Sequence, residues 1–72
     1  MEEIRKKIED SLNKMGAEDI DFPEFQDDKI IVVFNSKEIT SFVADIPGWS
    51  YSGIILDRSS KHQYRIDFNK AG

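Results

Sequence analysis

An α+β fold is predicted from three observations: an N-terminal apolar stripe at helical spacing, the β-favouring run KIIVVFN at residues 29–35, and apolar–polar alternation near the C-terminus. The expected architecture is two helices on one face of a four-stranded antiparallel sheet, in the order αββαββ, within a single domain spanning residues 1–72. Residues 37–46 decide between this and the alternative, a single N-terminal helix followed by an antiparallel β-meander.

The first helix follows from Ile4, Ile8, Leu12 and Met15, which recur at four, four and three and form one stripe among Glu, Lys and Arg. Glu2 and Glu3 in its first turn and Lys14 in its last suit the helix dipole. Gly16 is placed to end it in a left-handed conformation. Glu3 with Lys7 and Asp10 with Lys14 stand four apart in the order that supports an exposed helix face.

In residues 17–28, Ile20 and Phe22 alternate with Asp19 and Asp21, the pattern of a short strand. Pro23 cannot donate to a ladder, so this strand is an edge or stops there. Asp27 and Asp28 then turn the chain into 29–35, giving a hairpin. In that second strand Ile30, Val32 and Phe34 fall on one side and Ile31 and Val33 on the other. A strand apolar on both sides is either covered twice, or covered once and used for contact on its second side.

After Asn35 the period changes. Ser36 can cap a helix whose apolar positions Ile39, Phe42, Val43 and Ile46 follow helical spacing, and Pro47-Gly48 stops it. Against the helix, Thr40, Ser41, Phe42 and Val43 are mediocre helix formers, and the same residues suit a strand. Trp49, Tyr51 and Ile54 to Leu56 belong to one further strand, with Gly53 marking a bulge or a close backbone approach. Residues 57–61 make a turn, and Tyr64, Ile66 and Phe68 alternate with Arg65 and Asp67 in a half-buried last strand. Ile30, Val32, Phe34 and Asn35 match Tyr64, Ile66, Phe68 and Asn69 at a constant offset, the mark of an internal repeat.

Composition narrows the function classes. With no cysteine and one histidine, disulfides, thiol catalysis and thiolate metal sites are excluded, and no cofactor, metal or catalytic residue is expected. No stretch has the roughly 18 apolar residues of a membrane span. The charged start MEEIRKKIED lacks the apolar core of a signal peptide, so a cytoplasmic location and no membrane partner are expected. The net charge of −4 divides unevenly: residues 1–48 carry twelve acids and six bases, residues 49–72 two acids and four bases.

Two functions compete. The five rings of Phe22, Phe25, Phe42, Trp49 and Tyr51 exceed what two short helices can cover. Some are therefore expected at the surface, with Phe22, Phe25, Trp49 and Tyr51 as the contact residues of a non-enzymatic protein-interaction module or inhibitor, itself a candidate homodimer. The rival is single-stranded nucleic acid held by Arg58, Lys61, His62 and Arg65, where cations interleave with Trp49, Tyr51 and Tyr64. The acids Glu18, Asp19, Asp21, Glu24, Asp27 and Asp28 lack the glycine of a calcium loop. They are expected to form a solvated hairpin, or a row that imitates a phosphate backbone towards a basic partner.

Overall fold

The structure, a computed structural model, describes residues 2–38, 42–44, 46–57 and 61–71. The N-terminal stripe folds as α1 (Glu2–Lys14), and its inward residues Ile8 and Leu12 are fully buried. At its end the Ala17 amide donates to the Leu12 carbonyl (3.0 Å) and the Gly16 amide to that of Asn13 (3.1 Å), while Gly16 takes φ 85°. This is a Schellman cap, with Ala17 tucked against the core. A Cβ at Gly16 would touch nothing within 4 Å, so only its backbone angle resists substitution. Gly16→Ala is therefore expected to cost ~1 to 2 kcal/mol in a urea melt.

Five strands follow: β1 (Glu18–Phe25), β2 (Lys29–Asn35), β3 (Trp49–Tyr51), β4 (Ile55–Leu56) and β5 (Tyr64–Lys70). They form one antiparallel sheet in which β1 pairs with β2, β2 with β5, and both β3 and β4 with the far side of β5. The edge predicted from Pro23 is present, but β1 runs on through the proline by absorbing register shifts either side of Asp21. One shift coincides with Asp19, at φ 54°, a conformation that Asp tolerates better than most residues.

β3 and β4 are the single strand expected from Trp49 to Leu56, broken where residues 52–54 oppose only 66 and 67 of β5. Ser52 stitches the bulge: its amide donates to the Asp67 carbonyl (2.9 Å), and its hydroxyl oxygen accepts from the Asp67 amide (3.1 Å). The bulge inferred from Gly53 is therefore real, but Gly53 makes no close approach and its φ is not left-handed. Gly53→Ala should leave the melting midpoint unchanged, in contrast to Gly16→Ala.

The predicted second helix is a correction. Among the described residues of 37–46, Lys37 and Glu38 form a bend and 42–44 and 46 are irregular; 39–41 and 45 lie outside the described residues. Topology explains the need for this segment. β2 and β3 both run antiparallel to β5 and hence parallel to each other, so residues 36–48 must cross over β5 to join them. Phe42 and Ile46 bury in the core as the helical pattern required, while Val43 is 74% exposed. The crossover ends in the residue pattern of a type II turn, with Pro47 then Gly48 at φ 83° and the Trp49 amide donating to Ile46 (3.1 Å). Among the described residues the architecture is thus one helix and a five-stranded antiparallel sheet, close to the single-helix alternative.

The described part of the proposed repeat lies in β2 and β5, which are antiparallel neighbours. Its matched residues Val32 and Ile66 stand directly opposite each other, with Ile30 facing Phe68 and Phe34 facing Tyr64 on either side. These residues point to the helix side, where α1, Phe42 and Ile46 cover them to form the core. No described helix is long and apolar enough to cross a membrane.

Candidate functional site

Strand alternation puts Ile31, Val33, Arg65 and Asp67 on the face away from the core, where neither α1 nor the buried residues of the crossover lie. This is the second side of the run that the sequence marks as apolar on both. Ile31 is opposite Asp67 and Val33 opposite Arg65, so β2 contributes an apolar column and β5 a charged one. Ile55 pairs with Arg65 and extends the Val33 row towards the far edge.

The centre of this face is a depression of about 360 Å³. Ile31 and Val33 form its floor, Asp21 and Pro23 of β1 one wall, and Arg65 with Asp57, Lys61 and His62 the other. Val33 is only 4% exposed, because these side chains stand around it. An apolar floor under a few polar groups is the usual make-up of a binding pocket. A wider hollow of about 580 Å³ near the start of β1 is lined mainly by polar side chains, among them Glu18, Asn35, Lys37 and Gln63, and has no comparable floor. There the Asn35 amide donates to the Asp19 carboxylate (3.3 Å) and its oxygen accepts from the Gln63 backbone amide (2.7 Å). We take that hollow as a structural tie between β1, β2 and the last turn, and the apolar-floored depression as the candidate site.

On the β5 side, Arg65 Nε lies 3.0 Å from Asp67 Oδ1. Both atoms are shielded from solvent, yet their alignment is too poor for a directional hydrogen bond. The contact is Coulombic, between two side chains two residues apart on the same face of one strand.

The rings expected at the surface reach it only in part. Phe42 is buried, and the other four are half-buried against the core. Tyr51 meets Phe42 (5.2 Å) and Phe68 (5.6 Å), and its hydroxyl oxygen accepts from the Ala44 amide (3.4 Å), so the crossover shelters it. Phe22 packs edge-on to Phe25 (5.7 Å), and the Arg5 guanidinium lies 4.9 Å from its ring centre. The composition counts ring area correctly but gives no sign of these covers. Large exposed apolar side chains among the described residues are Val43 and Leu56 instead.

Of the basic set, Arg58 lies outside the described residues. Lys61 is exposed, His62 is half-buried on the rim rather than projecting from the turn, and Arg65 faces Asp67. The depression brings Lys61, His62 and Arg65 together, but mixes them with Asp21 and Asp57, which the sequence does not associate with them. The acidic residues of the first hairpin are exposed except Glu24, which lies 3.9 Å from Lys29, and no group of three ligands for a metal ion occurs among the described residues. Comparison with known proteins finds no matching family model, no matching curated protein and no matching solved structure.

Proposed function

We propose that the chain is a small non-enzymatic protein-binding module or inhibitor, whose contact surface is the open face of the sheet centred on Ile31 and Val33. The observation that carries this is the apolar floor lying beneath a rim of both charge signs, on a face without helical cover. Such a floor takes up an apolar side chain of a partner, while the rim fixes its orientation and penalises wrong partners. Phe22, Phe25, Trp49 and Tyr51 support the sheet from its other side in this reading, and the binding energy comes from β2.

The mixed rim argues against the nucleic-acid alternative, because Arg65 is engaged with Asp67 and Lys61 and His62 share the rim with acids. A track for phosphates needs cations without such neighbours. The test is a selection of peptides from a random library on the immobilised protein, with amide shifts used to locate the binders. They should perturb Ile31, Val33 and Arg65 and lose affinity on Ile31→Lys. Binders that map to the helix or to the first hairpin would contradict this reading, as would salt-sensitive binding of a labelled single strand that Ile31→Lys leaves intact.

A further inference from the structure

We propose that the open face docks a second copy of this chain, face to face, about a two-fold axis that crosses the strands at the Val32–Ile66 row. The inference rests on the binding-module reading and names its partner. It starts from the register of β2 and β5, in which Ile31 with Asp67 and Val33 with Arg65 form two rows flanking that axis. Rotation about the axis exchanges the rows. Ile31 of one copy then lies over Val33 of the other, and Arg65 over Asp67. The block is complementary to itself, positive on negative, with the part-exposed Ile31 of each copy set over the nearly buried Val33 of the other. The loosely aligned Arg65–Asp67 contact gains an opposite charge in front of each member.

The sheet edges offer no equal alternative. β1 is interrupted by register shifts, Pro23 and a left-handed Asp19, and the opposite edge is broken by the bulge between β3 and β4. Edges made in this way resist lateral pairing, which leaves the face. Size sets the strength. Four strands at ~4.8 Å and seven residues at ~3.3 Å give a face of roughly 19 by 23 Å. A standard interface takes ~800 Å² from each partner, and the whole chain exposes 4813 Å². The face is therefore at the small end for a dimer. The same rotation also brings Asp21 over Glu24 of the second copy, a like-charge contact at the rim. A weak, concentration-dependent dimer is the consequence.

Sedimentation velocity from about 10 µM to about 1 mM spans the range of such an interface. The native chain should move from monomer to dimer. Arg65→Asp and Asp67→Arg each set like charges opposite one another and should raise the dimerisation midpoint roughly tenfold or more. An equimolar mixture of the two variants should recover association, because each reversed position then meets an opposite charge on the other chain; repair of a contact within one chain cannot give this result. If circular dichroism shows a reversal unfolded, Arg65→Gln and Asp67→Asn replace the pair, and each should weaken association. A native chain that stays monomeric throughout, or a mixture no tighter than its components, overturns the proposal. If the chain is monomeric but selected peptides still map to the open face, the second copy is wrong and the binding module stands; peptides that map elsewhere remove both.

Discussion

Phe68→Ala is expected to lose ~3 to 5 kcal/mol of stability, a large part of what a chain of this size has. At ~0.05 to 0.15 kcal/mol per residue, 72 residues hold about 4 to 11 kcal/mol in total. Phe68 is fully buried at the point where the three parts of the core meet. It pairs with Ile30 on one side and Tyr51 on the other, and Phe42 from the crossover stacks edge-on against it at 5.8 Å. Truncating it removes the surface on which Phe42 anchors the crossover. Urea unfolding followed by Trp49 fluorescence should show a midpoint falling close to zero denaturant. A midpoint within a few tenths of a molar of the native value would mean that the crossover does not pack on β5 as described.

The second large effect is expected at Leu12. A 13-residue helix is marginal in water by itself, so α1 owes its existence to the sheet beneath it. Leu12 is fully buried, and its carbonyl also receives the Ala17 and Met15 amides that terminate the helix. Leu12→Ala should cost ~2 to 5 kcal/mol and lower helical and sheet signals together in one transition. Lys6→Ala, on the exposed side of the helix, should stay within ~0.5 kcal/mol. Loss of the helical signal ahead of the sheet signal in Leu12→Ala would show that the sheet holds together without its cover.

Much of this architecture is legible in the residues. The four-four-three spacing from Ile4 to Met15 and the glycine after it specify α1 and its cap, because periodicity and a left-handed stop are local properties. Alternation in 29–35 and 64–68 specifies the two central strands for the same reason. The crossover departs from the helical expectation because Phe42 and Ile46 are spaced as if on one helical face, whereas an irregular chain can bury two residues four apart equally well and leave Val43 in solvent. Deciding between these needs the strand order, which places β3 beyond β5 and obliges the chain to cross; that order is a long-range property.

The site divides in the same way. Ile31 and Val33 are visible as the second apolar side of one strand. Asp21, Asp57 and His62 reach the same depression only through pairing between distant segments, and nothing in their local spacing signals it. The partial cover of the rings has a related cause, since the shelter of Tyr51 and Phe22 comes from Phe42, Ala44 and Arg5, which are remote or unremarkable in sequence.

The face of the sheet away from α1 can be probed directly with a soluble paramagnetic agent and isoleucine methyl spectra of the dilute protein. Methyl groups of Ile31 and Ile55 should relax strongly, while those of Ile8, Ile30 and Ile66, all fully buried on the helix side, should not respond. Equal protection of Ile31 and Ile30 at concentrations too low for association would mean that another part of the chain already covers that face, and the contact surface described here would not exist.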